Sequence, residues 1–273
     1  MSVSTRKTRS GVRTAIAIAL LAIMLFPLYW MLNISLQSTG GTLATSFFPT
    51  HPSLDGYRTA LQDQGRNLVT SMIIALGTVV LTLLIATPAA YALAQFRFRW
   101  INWALLAILI SQMIPGIVIA NGLYSIYERI GLLDSIPGLI IANATAGVPF
   151  GILIMRSFMM GIPPSLVEAA RVDGAGLFRA FVSIVVPISR NSLITVGLFA
   201  FIFGWGDFIF ALTLTTKGTI VPVTLGIYTY LGAHISNWSA VMATAMVGSL
   251  PAIVLLVLAQ RYISAGVNSG AVK

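Results

Sequence analysis

Six long apolar runs divide this chain, at about 14–36, 68–95, 101–126, 138–158, 191–216 and 238–260. A helix needs about 20 apolar residues to cross the hydrocarbon core of a bilayer, and each run reaches that length. Lipid offers no partner to an unpaired backbone N–H or C=O, so only helices and closed barrels cross it. Barrel strands would alternate apolar and polar residues over about ten positions, and these runs do not alternate. The runs therefore predict an all-α membrane protein with six transmembrane helices. Composition agrees: only 8% of the 273 residues are charged, where soluble domains carry about 25%.

The charged residues orient the spans, because cytoplasmic loops are enriched in Lys and Arg. With the N-terminus inside, twelve of the sixteen Lys and Arg fall on inner segments. Only Arg58, Arg66, Arg129 and Lys217 fall outside. Both termini are thus expected in the cytoplasm. The expected organisation is a basic tail over 1–13, a first span over 14–36, an external loop over 37–67, a five-helix core over 68–260 and a cytoplasmic tail over 261–273. The run 14–36 is too long for the apolar stretch of a signal peptide and reads as a retained span. The net charge of +9 does not indicate a nucleic-acid partner, since no basic stripe exists outside the first tail.

Proline recurs within the runs, at Pro27, Pro88, Pro115, Pro149 and Pro251. Each removes a helical hydrogen bond and favours a kink. Proline is common in membrane helices generally, but clusters such as Ile114-Pro115-Gly116 favour a bundle that moves.

The inner loop 159–190 carries the most information. Pro163-Pro164 ends what precedes, and Ser165 with Glu168 has the spacing of a capping box that would start a helix. Glu168 and Arg171 can pair across one turn. Gly174 suits a left-handed C-terminal cap. A second short helix is expected from Gly176, bringing Leu177, Phe178 and Phe181 near one another. The expectation is a helix–turn–helix knob with an apolar tip, which implies a partner or a hairpin lying on the lipid surface.

Glu168-Ala169-Ala170, three residues, Gly174, nine residues, then Ile184-Val185-Val186-Pro187 resembles the EAA signature of ABC-importer permeases, EAA-x3-G-x9-I-x-L-P. Only Val186 departs, standing where the signature has Leu. The whole chain is similar to the MalG-like permeases of carbohydrate importers, notably at Phe26-Pro27-Leu28-Tyr29-Trp30, Trp205-Gly206-Asp207-Phe208 and the terminal Ser269-Gly270-Ala271-Val272-Lys273. The resemblance implies the type I ABC importer permease fold in a bacterial cytoplasmic membrane, and a second homologous permease around a shared pathway for a sugar. It also implies a pair of ATPase subunits engaged by Glu168, Ala169, Ala170, Asp173, Gly174, Leu177 and Phe178, with a solute-binding protein outside. ATP and Mg would be bound by the ATPase partner, and no cofactor is expected in this chain.

Several polar residues within spans are candidates for the solute path: Gln112, Asn121, Asn143 and Asp207. Each can equally bond a neighbouring helix. An acid inside a span is costly and invites a functional reading, so Asp207 is either a path contact or a partner for another helix. Gly204-Trp205-Gly206-Asp207 fits the pattern of intramembrane aspartyl proteases, but that chemistry needs two carboxylates and Asp207 is the only acid within a span. His51 and His234 lie far apart in outer segments, and the chain has no cysteine, so no serine-, cysteine- or metal-based site is expected. No phosphate-binding loop of the Gly-x4-Gly-Lys-Ser/Thr type occurs. Energy must come from another subunit, or from an ion gradient if the chain is a secondary transporter or channel. The outer segment 217–237, with Tyr228 and Tyr230, is expected to help receive the binding protein.

Overall fold

The computed structural model describes residues 4–38, 46–49, 51–96, 99–232 and 237–271. Arg97, His234 and Lys273, with parts of the 37–67 and 217–237 segments, lie outside them. Among the described residues all regular structure is helical. Helix α1 runs Ser4–Ser35, α2 Asp55–Gln95, α3 Ile101–Ser111, α4 Gly116–Ile130 and α5 Ile136–Met159. The inner loop forms α6 (Pro164–Val172) and α7 (Leu177–Ala180), a π-helical turn Phe181–Val185 and α8 (Val186–Ile188). Then come α9 (Arg190–Trp205), α10 (Ile209–Leu214), α11 (Val223–Gly232) and α12 (Trp238–Ala271).

Four helices are long and apolar enough to cross a bilayer in one piece: α1, α2, α5 and α12. The expected span 101–126 is not one straight helix. It is the pair α3 and α4, bent by 95°. Pro115 is the residue before α4, where a missing N–H costs nothing. The N–H groups of Gln112, Met113 and Ile114 turn instead to carbonyls three residues back, at 3.2, 3.0 and 3.4 Å. The expected span 191–216 is also interrupted: α9 stops at Trp205 and α10 starts at Ile209. Ahead of it, the helical stretch Leu177–Ile188 meets Arg190–Gly206 at 79°.

The segment 55–67, assigned above to the external loop, is helical. The Ser53 hydroxyl accepts the Asp55 N–H at 3.0 Å and starts α2 there. At 41 residues, α2 is about 60 Å long, roughly twice the hydrocarbon thickness, so it projects well beyond the membrane.

The chain forms two compact units. The first comprises residues 1–65 and 227–249. Its buried contacts include polar ones beside Ile34, Ala60, Ala240 and Val241: the Ser239 hydroxyl donates to the Ser35 carbonyl at 3.1 Å, and the Ser35 and Tyr57 hydroxyls share a 2.8 Å bond. The Tyr230 hydroxyl donates to Asp63 at 3.0 Å.

The second unit comprises 66–226 and 250–273. One apolar cluster joins Ala86 and Ala90 of α2 to Met155 and Met159 of α5 and to Val185 and Val196. Another joins Ile74, Ala120, Tyr127, Leu139, Phe210 and Leu214. Small residues let the backbones approach. A Cβ placed on Gly147 of α5 would stand 2.6 Å from the Thr82 hydroxyl of α2.

Candidate functional site: the inner knob and the outer bracket

The inner loop folds into the expected helix–turn–helix, with two corrections. Helix α6 begins at Pro164, preceded by Pro163 with no side-chain cap. Proline suits a first helical position because its missing N–H would be unpaired there anyway. Ser165 is therefore already inside the helix, and the Ser165–Glu168 capping box does not form. Nor do Glu168 and Arg171 form an ion pair; the ion pair seen among the described residues joins Arg58 and Asp55 at 3.8 Å.

The end of α6 is built as the sequence suggests. Gly174 has φ +86°. The Ala175 N–H reaches the Ala170 carbonyl at 2.9 Å and the Gly174 N–H reaches Arg171 at 3.1 Å. These are the two bonds of a Schellman turn. A Cβ on Gly174 would meet nothing within 4 Å, so it is the backbone angle, not space, that requires glycine here.

Gly176 precedes α7, and Leu177 and Phe178 are 58% and 79% exposed. Phe181 lines one pocket with Phe178 but is itself half-buried. Its ring turns inward onto Tyr91 of α2, with centroids 5.2 Å apart. The most exposed apolar residue of the loop is Val172, 88% exposed at the end of α6. Sequence reasoning missed it; the available signal was an apolar residue between Arg171 and Asp173 in the last turn of an amphipathic helix. Glu168, Ala169, Asp173 and Gly174 are also exposed, and Ala170 is half-buried.

Between α4 and α5, Asp134 brackets two segments. It has φ +55°, and its N–H donates to the Leu214 carbonyl at 3.0 Å. Its carboxylate accepts the N–H groups of Thr216 and Lys217 at 2.6 and 2.8 Å and the Thr216 hydroxyl at 2.9 Å. The Lys217 N–H, above all, holds this carboxyl below the usual carboxylate range, with smaller help from Thr216 and the Lys217 charge. The bracket ties the turn between α4 and α5 to the root of the 217–237 segment.

The four path candidates separate into two pairs. Gln112, at the bend between α3 and α4, and Asn121, on α4, are exposed. Asn143 is 3% exposed and bonds the Leu139 carbonyl at 2.9 Å. Its side chain also bonds Asp207. Asp207 accepts the N–H groups of Phe210 and Ala211 at 3.0 and 3.1 Å. It thus caps the restart at α10, satisfying donors that the broken span would otherwise leave bare in lipid.

Comparison with known proteins gives this arrangement its context. Residues 86–269 match the family described as "Binding-protein-dependent transport system inner membrane component". The chain is 34% identical to a probable ABC transporter permease protein, y4oR, of Sinorhizobium fredii, over 99% of this chain and 98% of that one. It is also 34% identical to the trehalose transport system permease protein SugB of Mycobacterium tuberculosis, over 91% and 92%. A bacterial ABC transporter involved in the import of the acidic polysaccharide alginate contains a chain of the same fold, with TM-score 0.81, 22% identity and coverage of 96% and 99%. This chain is a multi-pass membrane protein and belongs to the family of binding-protein-dependent transport system inner membrane components, the permeases of ABC transporters.

Proposed function

We propose that this chain is one permease of a bacterial ATP-driven sugar importer, pairing with a second, homologous permease in the cytoplasmic membrane. An ATPase dimer binds the α6–α7 knob from inside, and a solute-binding protein delivers the sugar from outside. ATP and Mg are held by the ATPase, and this chain transmits motion without catalysing a reaction.

The observation that carries the reading is the knob itself. Val172, Leu177 and Phe178 stand exposed on a turn stiffened by two backbone bonds. Apolar side chains presented on a rigid turn fit a groove in another protein. The EAA spacing from Glu168 to Pro187 supports the same role. A sugar as solute is supported by the trehalose permease among the relatives and by the alginate transporter that shares the fold.

The proposed topology has six spans with both ends inside, α3–α4 forming the third span and the helices around α9 the fifth. The proposed domains follow the sequence divisions, except that 55–67 belongs to α2, with 159–190 as the coupling loop. Gln112 and Asn121 are the better path contacts, since their side chains are open, whereas Asn143 and Asp207 hold the broken span together.

Purification of the tagged chain from its native membrane tests the reading. Parent protein should carry both a second permease and an ATPase. The double variant Leu177→Asp and Phe178→Asp should keep the permease and lose the ATPase. Retention of the ATPase by that variant would sink the coupling role.

A further inference from the structure

The inner end of α2 touches both roots of the knob. On the outgoing side, the Gln95 side-chain amide donates to the carbonyls of Met159 and Ile162 at 2.8 and 3.0 Å. Those carbonyls stand at the end of α5 and one residue before Pro163. Beside them, Arg156 Nε donates to the Leu93 carbonyl at 3.1 Å. On the returning side, Tyr91 packs on Phe181, the first residue of the π-helical turn. Three residues of α2, Tyr91, Leu93 and Gln95, thereby grip the chain where it leaves the membrane bundle and where it re-enters.

Gln95 suits this place because both of its N–H groups are used on one short stretch. The last carbonyls of a helix lack partners within it. Gln95 meets that need from another helix, so the bonds that finish α5 also fasten it to α2. The Ile162 carbonyl is followed by Pro163 and then α6, so the fixed point lies directly at the base of the knob.

We propose that Gln95 is a positioning residue for energy coupling: through its two bonds, with Tyr91 on Phe181, the inner end of α2 and the knob move as one body, so that α2 receives the motion driven by ATP. This rests on the coupling role proposed above. The chain has no cysteine, so two introduced cysteines are the only thiols in it. Val80 on α2 is 56% exposed, and Ser165 on α6 is exposed and lies outside the proposed docking face, so both accept spin labels.

The test measures the distance between labels at Val80 and Ser165 in the whole complex purified from membranes, without nucleotide and with ATP plus vanadate. In the parent the distance should be narrow and the same in both states. In Gln95→Met, which keeps the length and removes the donors, it should broaden and shift on adding nucleotide. Gln95→Lys, which restores a donor, should return it towards the parent. A parent distance that changes with nucleotide would overturn the proposal, as would a Gln95→Met protein that matches the parent. Loss of narrowing in both variants alike would also overturn it, assigning the effect to packing at the site. Absence of an ATPase from the purified parent complex would overturn the coupling role itself, and this control separates the two failures.

Discussion

Gly174 and Asp134 both have positive φ, for different reasons. At Gly174 the Schellman turn demands it, and no side chain is near. A non-glycine there costs about 1–2 kcal/mol, set against a knob that buries little. Gly174→Val should leave the chain inserted and paired with its sister permease but lower transport and ATPase retention, read by co-purification and by uptake in cells. Glu168→Ala, by contrast, should not loosen α6, because the capping box is absent. At Asp134 the strain is offset by four hydrogen bonds. An unfolded Asp takes up its proton at about pH 3.9, while in the folded chain the carboxylate stays ionised to lower pH. The bracket is therefore complete above about pH 4 and is lost as pH falls through the lowered value. Asp134→Asn removes a charged acceptor and should raise hydrogen exchange at 215–218 at neutral pH. In acid the parent should approach the variant; an exchange difference that persists in acid would count against the bracket.

At the scale of elements, the apolar runs located the spans, since lipid forces any such run into a helix. The bends were not legible. Pro27, Pro88, Pro149 and Pro251 sit inside continuous helices, whereas Pro115 sits at a break. A proline deletes one bond but does not choose an angle; neighbouring packing does. The outer start of α2 was missed because 55–67 is polar and amphipathic, although Ser53 followed by Asp55 was a readable start signal. The knob was legible because glycine and proline fix local geometry, but its roots were not, as Gln95 lies some 64 residues from Met159. Helix packing gives a test of opposite signs. Gly147→Ala drives a Cβ to 2.6 Å from Thr82 and should destabilise by about 1–3 kcal/mol, as overpacking does. Gly122→Ala on α4 meets nothing within 4 Å and should hold or raise stability by up to about 1 kcal/mol. Thermal unfolding in one detergent compares the two.

For the whole molecule, the question is which side each loop faces. On the proposed six-span topology, the twelve-to-four division of Lys and Arg puts the knob on the side of the two termini. Reporter fusions after His51 and after Ala175 should report opposite sides of the membrane. The same side for both would reverse or remove a span, and with it the assignment of the bracket to the outside. The family settles the class that sequence left open between an ABC permease and a secondary transporter.

The Schellman turn also bears on how such permeases diverge. The knob's shape is written in backbone bonds and one glycine, while Val172, Leu177 and Phe178 contribute almost nothing to holding it. Selection can therefore rewrite those three side chains as a set without unfolding the loop that displays them. If the knob takes the proposed coupling role, a host running several importers can keep one scaffold and vary only this small face, so that each permease recruits its own motor or many share a common one.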